Sequence, residues 1–415
     1  MQKLSFLGNN IVGSEIIKIS QQIKEVSKSK PVENFSIGDF NPVVNPIPKK
    51  LKNYIVESYE NDLTNYPMSS GELDLRTSIS NYLRKKRKIS YGEDEILVGC
   101  GVRPLIYTIF KSIVDPGDVV MYPVPSWNNN HYSFLHNAIK IPIECKPENS
   151  FFPTFDDVKD KLVNTRLLCL CSPQNPTGRV IDKDTLKQIC DEIVKINKEK
   201  SKKTFLFFDQ IYSDLVPEGL FTHPLDVCPE IREYLICVDG ISKSLCATGV
   251  RVGWTFGPKS VISKMTEIFS HIGAWAPKPE QIAVGKFLND YQEINDFISS
   301  KINQYSFISN QICESLDDLK KSRFNIDYQK PEGGIYISIY FEHVSYFGSV
   351  ENFVEFLIKS CGVGMVPFEY FGSKENEGWF RMSIGGIDPN NIDNIKSVFK
   401  KICLNSISEI NSWIV

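Results

Sequence analysis

The sequence lacks the features that mark several large classes of protein. No C-x-x-C pair occurs among its eleven cysteines, and its five histidines are dispersed, so we expect neither a metal site nor a disulfide framework. Many of the cysteines lie inside apolar runs, which is typical of buried reduced thiols. There is no internal repeat, no long glycine–serine linker and no run of 18 apolar residues, so we expect no membrane span.

The charge balance and the N-terminus exclude further classes. The net charge is −3, from 47 basic and 50 acidic residues, so nucleic acid and anionic membranes are not expected partners. The first residues show neither a sustained apolar segment nor a small-residue cleavage pattern, so we expect no secretory signal and a cytoplasmic location. With 415 residues, the chain is long enough for two or three domains.

The middle of the chain alternates short apolar runs with helical stretches, as βαβ units do. Because these runs are continuously apolar, they predict strands covered on both faces, hence an α/β domain with a doubly wound, mostly parallel sheet. Val102 to Val114 is the predicted helix after the first run. The predicted strands are Glu95 to Val98, Val119 to Tyr122, Leu167 to Cys171, Phe205 to Phe208, Leu235 to Val238 and Val252 to Phe256.

The last third of the chain has a different pattern. Helical spacing runs from Pro279 to about Leu319 with few breakers. Beyond it, strand-like segments at 332–340 and 379–384 flank a predicted helix at 350–361. We therefore expect a second, smaller α+β domain.

Polar residues follow several predicted strands. Trp127, Asn175, Asp209 and Lys243 each lie within a few residues of the end of a different strand, and Gly101 opens a helix after another. Ligands of open parallel sheets bind outside the carboxyl ends of the strands. Chance would scatter such residues over both edges, so their common position predicts one site.

The residue types match the needs of pyridoxal phosphate (PLP). Lys243 can form a Schiff base, Asp209 can pair with a ring nitrogen, and Arg251 can fork a phosphate. Each residue also has an ordinary structural explanation. Asp209 would serve as a turn or helix cap, and Arg251 as half of a surface ion pair. Asn175-Pro-Thr-Gly178 would serve as a plain turn and Trp127 as a core residue.

Together, these motifs resemble those of the class I/II aminotransferases, PLP enzymes of fold type I similar to aspartate aminotransferase. The resemblance covers nearly the whole chain in the expected order. Its motifs are Gly38-Asp-Phe-Asn-Pro42, Tyr66 with Gly71 and Leu75-Arg76, Gly101, Pro125-Ser-Trp127, Asn175-Pro-Thr-Gly178, Asp209-x-x-Tyr212, Ser242-Lys243 with Arg251, and Phe380-Arg381-Met-Ser383.

The resemblance implies how the cofactor is held. Lys243 would bind PLP and then move the substrate proton, while Asp209 would pair with the pyridinium nitrogen. Asn175 and Tyr212 would bond the ring oxygen, Trp127 would stack on the ring, and the Asn175–Pro176 bond would be cis.

The resemblance also implies the phosphate site and a dimer. Arg251 would hold the phosphate together with backbone around Gly101 and Val102. Tyr66 would reach the phosphate of the other subunit, so the chain would form a homodimer with shared active sites. One position departs from the family pattern, because Gly240 stands where a phosphate-binding serine is usual, unless Ser242 or Ser244 substitutes.

Substrate contacts follow from the same comparison. Arg381, an arginine inside an apolar strand, would fork the α-carboxylate, helped by backbone at Gly38; Trp127 and Asn175 would also border the substrate. Arg103 aligns with a lysine that faces the distal carboxylate in similar aspartate aminotransferases. The predicted domains are a large PLP-binding domain at 51–285 and a small domain of 1–50 and 286–415.

Three functions remain open from the sequence. The leading hypothesis is an aminotransferase that moves an amino group from an L-amino acid, best guessed as aspartate or another acidic or broad substrate, to a 2-oxo acid. The second is a PLP-dependent lyase, cyclase or decarboxylase at the same site. The third is a non-enzymatic regulator, which the joint presence of Lys243 and Asp209 disfavours.

Overall fold

A computed structural model describes residues 4–322 and 324–414 of the chain. The chain divides into two compact units. The larger unit comprises Phe40–Gln304 with Glu332–Gly334, and the smaller comprises Met1–Asp39, Tyr305–Pro331 and Ile335–Val415. The sequence-based limits of the large domain, 51–285, lie inside the larger unit and stay a prediction.

Strands and helices alternate through most of the chain. The strands are β1 Glu33–Asn34, β2 Ile96–Cys100, β3 Val119–Val124, β4 Ile139–Glu144, β5 Thr165–Cys171, β6 Phe205–Asp209, β7 Leu235–Gly240, β8 Val252–Phe256, β9 Ile326–Gln329, β10 Tyr336–Phe341, β11 Val363–Gly364, β12 Val366–Pro367 and β13 Trp379–Ser383.

The helices connect and cover these strands. They are α1 Phe6–Asn10, α2 Glu15–Val26, α3 Lys49–Glu60, α4 Leu73–Arg87, α5 Val102–Ile113, α6 Asn129–Leu135, α7 Phe155–Leu162, α8 Lys183–Glu199, α9 Pro224–Val227, α10 Ile241–Ser244, α11 Lys259–Ile272, α12 Lys278–Leu288, α13 Tyr291–Lys321, α14 Val350–Phe356 and α15 Ile392–Ile414. A π-helical turn, Leu357–Cys361, extends α14.

The larger unit contains a seven-stranded sheet in the order β2-β8-β7-β6-β5-β3-β4. All its strands are parallel except β8, which pairs antiparallel with β2 and β7. Successive residues of a strand point to opposite faces, and Leu167 and Leu168 of β5 are both 0% exposed, so layers cover both faces. The α/β architecture with a doubly wound, mostly parallel sheet is confirmed.

Three details of the predicted elements were wrong. Edge strand β4 was missed because its first residues are polar or exposed, so it lacks the continuous apolar signal of a buried strand. The predicted helical stretch from Pro279 to about Leu319 consists of two helices, α12 and α13, because the helical conformation is interrupted at Asn289-Asp290. The first strand begins at Ile96 because Glu93–Glu95 forms a 3₁₀ turn.

The smaller unit has an antiparallel sheet in the order β12-β13-β10-β9, together with a short parallel pair, β1 and β11. Its central strands β10 and β13 pair from Tyr336↔Ser383 to Tyr340↔Trp379, which sets Arg381 opposite Ser338. Helix α14 supplies Phe353, which packs in ring contact with Phe341 and Phe380 of these strands. The smaller unit is thus α+β, as the sequence indicated.

Candidate active site

Predicted site residues lie at or shortly after the ends of three neighbouring strands of the larger sheet. Strand β6 ends at Asp209, and β5 ends at Cys171, four residues before Asn175. Strand β7 leads through Gly240 into the one-turn helix α10, which carries Lys243. Because β5, β6 and β7 are adjacent and parallel, their carboxyl ends bring these residues to one edge of the sheet.

Lys243 lies near two aromatic rings. Its Nζ is 5.7 Å from the ring centroid of Tyr212 and 5.7 Å from that of Phe40. Such rings attract an ammonium through the negative charge of their faces. Phe40 was missed by the sequence reasoning, although it belongs to the Gly38-to-Pro42 motif that carried the resemblance.

Asp209 is electrostatically unusual. Burial raises the pKa of its carboxyl to about 6, although the N–H of Ile211 donates to Oδ1 at 3.0 Å and the positive charge of Lys243 acts in the opposite direction. An acid in such surroundings gains most from a cationic partner. A pyridinium N–H would supply that partner.

Asn175 lies in a rigid, buried loop. The Asn175–Pro176 peptide bond is cis, as predicted. The neighbouring side chain of Gln174 donates to the Pro125 carbonyl at 2.8 Å and accepts from the Thr177 hydroxyl at 3.0 Å. These bonds hold the loop that presents Asn175 next to β6.

Arg251 and the start of α5 form a cradle for an anion. The guanidinium donates to the carbonyls of Thr248 at 2.6 Å and Cys100 at 3.1 Å. It packs so closely on Gly101 (φ +73°) that a Cβ there would lie 2.1 Å from Nη2. Val102 begins α5 directly after this glycine, so a helix N-terminus adjoins the arginine.

The unusual Gly240 is explained by the sheet. It pairs with Gly253 of β8, and a Cβ on Gly240 would lie 2.8 Å from the Gly253 Cα. A serine at this position would therefore require the two strands to separate. The Ser244 hydroxyl donates to the Gly240 carbonyl at 3.3 Å, which leaves Ser242 as the better candidate for a phosphate contact.

Arg103 and Trp127 contact each other. The Arg103 guanidinium lies 4.5 Å from the centroid of the Trp127 ring, a cation–π distance. Tyr66 is elsewhere on the surface of the larger unit, 85% exposed, with its ring edge-on to Trp275 at 5.9 Å.

The smaller unit buries Arg381 in a cluster of its own. The side chain is 2% exposed and donates to the Ser36 carbonyl. Its guanidinium lies 4.7 Å from the ring centroid of Tyr336 and 4.8 Å from that of Phe371. Gly38 belongs to this cluster, since a Cβ there would lie 2.0 Å from the Tyr336 hydroxyl.

Among the described residues, no group of three or more His, Cys, Asp or Glu side chains could hold a metal ion. Over the same residues, no helix is long and apolar enough to cross a membrane.

The family model for aminotransferases of class I and II matches residues 30–399. The chain belongs to this family. It is therefore an enzyme that transfers amino groups, and its cofactor is pyridoxal phosphate. The donors described above fit that cofactor, with a lysine amine, a partly buried acid at a strand end, and an arginine beside a helix N-terminus.

Relatives of this aminotransferase cover nearly its full length. It is 26% identical over 397 residues to the probable aspartate/prephenate aminotransferase of Aquifex aeolicus (strain VF5), covering 94% of this chain and 96% of that protein. It is 25% identical to the aspartate aminotransferase of Bacillus sp. (strain YM-2), covering 87% and 90%.

Solved structures share the fold of the aminotransferase. Aspartate aminotransferase from Thermus thermophilus with maleate superposes with a TM-score of 0.86 at 23% identity, covering 97% of this chain and 100% of that one. The aspartate aminotransferase from Rhizobium meliloti also gives a TM-score of 0.86, at 22% identity, covering 98% and 99%.

Proposed function

We propose that this aminotransferase moves the amino group of an acidic L-amino acid, aspartate or a similar substrate, to a 2-oxo acid, and that Lys243 and Asp209 carry the chemistry. The observation that carries the proposal is the position of both residues at the carboxyl ends of adjacent strands. They are close enough that the positive charge of Lys243 lowers the pKa of Asp209. The relatives named as aspartate or aspartate/prephenate aminotransferases support the substrate class.

Each residue has a distinct task in this proposal. When bound, PLP supplies an electron-accepting ring that makes the substrate α-hydrogen acidic. The Nζ of Lys243 would take that proton and hold it until it is returned, because a neutral amine can act as base and its ammonium as acid. Asp209 would pair with the ring nitrogen, and its negative charge would favour the protonated ring. The rings of Tyr212 and Phe40 keep the Lys243 ammonium in place between the two transfers.

The remaining contacts orient cofactor and substrate. Asn175 and Tyr212 would hydrogen-bond the ring oxygen, and Trp127 would stack on the ring. Arg251, with the backbone of Gly101 and Val102 and with Ser242, would hold the phosphate; the close packing of its guanidinium on Gly101 supports this role. The substrate α-carboxylate would be forked by Arg381 beside the Gly38 backbone, since a buried arginine needs an anionic partner.

Selectivity for an acidic side chain is assigned to Arg103. Its guanidinium lies against Trp127, which orders a side chain that would otherwise be free to move. A fixed guanidinium can bind a carboxylate through two N–H groups, so less entropy is lost when the substrate arrives.

Replacing Arg103 by methionine tests this assignment. Arg103→Met should lower kcat/KM for aspartate and glutamate by about 10–100-fold, the value of one or two charge-assisted hydrogen bonds, and should leave kcat/KM for neutral amino acids within about threefold. Arg166→Met is the matched control, because Arg166 also lies over an aromatic ring, Phe205, at 5.1 Å. An equal loss with acidic and neutral amino acids would contradict the assignment.

The same assay distinguishes transamination from other PLP reactions. Purified protein with PLP is mixed with single amino acids, and the visible absorbance and the keto acid product are measured. Keto acid formed with loss of the visible band supports transamination. Release of ammonia, carbon dioxide or a cyclised product would instead assign a lyase, decarboxylase or cyclase.

A homodimer with shared active sites is also part of the proposal. The 85% exposure of the Tyr66 side chain supports it, since a large aromatic side chain so exposed commonly belongs to an interface. Val43, Met68 and Leu73 are exposed hydrophobic residues of the same unit. Sedimentation as a monomer at micromolar concentration would contradict the dimer.

We keep the cytoplasm as the proposed location. Thiols such as Cys169 and Cys237 are buried in the central strands, and burial raises the pKa of both well above the usual value. Buried unpaired thiols suit a reducing compartment. Fractionation of cells with an antibody against the protein tests this location.

A further inference from the structure

A buried polar pair joins the two strand ends that carry Asp209 and Lys243. Gln210 directly follows Asp209, and Asp239 lies four residues before Lys243. The Gln210 Nε2 donates to the Asp239 Oδ2 at 2.9 Å, and the two residues are 0% and 3% exposed. The Asp239 Oδ1 also accepts from the Gly240 N–H at 2.7 Å, the last amide before α10.

A second carboxylate lies behind the pair. Asp214 accepts a hydrogen bond from the Tyr82 hydroxyl at 2.7 Å and pairs with Arg87 at 2.8 Å. The side chain of Asp214 is buried and holds the ion pair with Arg87, whereas Asp239 accepts its hydrogen bonds from the neutral N–H groups of Gln210 and Gly240. Two buried carboxylates near one arginine are most stable when one of them keeps its proton.

The surroundings of Asp239 also favour its protonated form. Burial, and next the negative charge of Asp214, raise the pKa of Asp239 to about 8, while the Gln210 amide, Arg87 and the Gly240 N–H act in the opposite direction. The negative charge of an ionised Asp239 would in turn raise the pKa values of Tyr82 and Cys237. Burial and the charge of Asp214 both favour the protonated form of Asp239.

The proton of Asp239 has an acceptor at hand. The Gln210 Oε1 is buried and has no hydrogen-bond partner among the described residues. An amide and a carboxylic acid are complementary, since the amide N–H donates to one acid oxygen and the acid O–H can donate to the amide oxygen. Leaving such a buried acceptor unfilled would be costly.

We infer that Gln210 and Asp239 form a buried amide–carboxylic acid pair, and that both are positioning residues that hold Asp209 and the Lys243 helix in register for amino transfer. At the same strand ends, the Gln210 N–H also donates a backbone hydrogen bond to the Val238 carbonyl, with an N···O distance of 3.1 Å. The side-chain pair therefore adds a second connection between β6 and β7. The inference rests on the proposed roles of Asp209 and Lys243.

Exchanging the partners tests the pair. Gln210→Glu places two carboxyl groups side by side and should lower kcat/KM at pH 7 at least tenfold, whereas Asp239→Asn forms a complementary amide–amide pair and should stay within about threefold of wild type. In the Gln210→Glu protein, adding Asp239→Asn should restore activity at least tenfold. Failure of this restoration would overturn the inference.

The pH dependence separates positioning from mere stability. In the holoenzyme, the visible band of the bound cofactor and kcat should both change as the pH rises and Asp239 ionises, and Asp239→Asn should remove that transition. A transition that persists in Asp239→Asn would overturn the inference. The control Thr255→Val removes another buried hydrogen bond of this sheet, from Thr255 Oγ1 to the Cys237 carbonyl at 2.8 Å, and should leave the transition unchanged.

Unfolding of the cofactor-free protein gives a readout that is independent of catalysis. Gln210→Glu should lower the unfolding midpoint, and the double variant should recover most of the loss. Recovery of stability without recovery of kcat or of the spectral transition would show a structural pair alone and overturn the positioning role. If the proposed acidic substrate is wrong, the unfolding and spectral results remain as expected and only the substrate assay changes.

Discussion

The two units place their key cations in opposite surroundings. Lys243 of the larger unit is partly exposed, on a one-turn helix after a parallel strand, and two aromatic rings lie 5.7 Å from its Nζ. Arg381 of the smaller unit is 2% exposed in the middle of antiparallel strand β13. A lysine that must give and take a proton needs space to move, whereas an arginine that only holds a carboxylate works best when fixed.

Removing the Lys243 amine should have the largest effect. Lys243→Ala should lower turnover at least about 10⁴-fold, because the residue is both the proposed covalent attachment and the acid–base group. The unfolding midpoint should change little, and the visible band of the bound cofactor should be lost. Turnover and absorbance of the purified variant measure this.

Lys264→Ala is the matched control for the lysine. Lys264 is exposed and pairs with Glu267 one turn along α11, so its loss should leave turnover and spectrum unchanged. Full activity in Lys243→Ala would refute the assignment of the reactive lysine.

Asp209 should give the next largest effect. Asp209→Asn removes the charge that holds the ring nitrogen protonated, so kcat should fall about 10²–10³-fold with a smaller change in cofactor affinity. Asp226→Asn removes a carboxylate that only caps a local turn, through the His223 N–H at 2.9 Å, and should keep kcat. Near-normal kcat in Asp209→Asn would make Asp209 a structural turn residue.

In the cofactor-free protein, the effect of Asp209→Asn on the free energy of unfolding should depend on pH. The pKa of Asp209 is raised to about 6, so the stability it contributes is present below pH 4 and is lost as the pH rises to 6. The unfolding free energy of Asp209→Asn relative to wild type should therefore rise by about 2–3 kcal/mol between pH 4 and 7. A flat difference across this range would mean that the carboxyl ionises normally.

The fixed arginine should give a smaller and different effect. Arg381→Lys keeps the charge but loses the forked geometry and the stacking on Tyr336 and Phe371, so KM should rise about 10²-fold while kcat falls less. Arg232→Lys is the control, because Arg232 stacks on Tyr91 at 3.9 Å and pairs with Glu95. An unchanged KM in Arg381→Lys would remove Arg381 from substrate binding.

Much of the larger unit could be predicted from local sequence. Continuous apolar runs such as Leu167 to Cys171 indicated strands covered on both faces, and the polar residues that follow them indicated one edge of the sheet. Edge strand β4 was not predicted, because a half-exposed strand lacks a continuous apolar run. The role of Phe40 beside Lys243 was also not predicted, because the contact joins residues 203 positions apart.

By itself, the sequence determined the family and the cofactor and predicted which lysine reacts, because ordered motifs and strand periodicity are properties of the linear chain. Only the tertiary structure showed that the neighbouring strand leaves no room for a side chain at Gly240. It also showed that Gln210 donates a hydrogen bond to Asp239 and that the charge of Asp214 raises the pKa of Asp239. Burial and pKa shifts arise from neighbours that are distant along the chain, so local spacing carries no record of them.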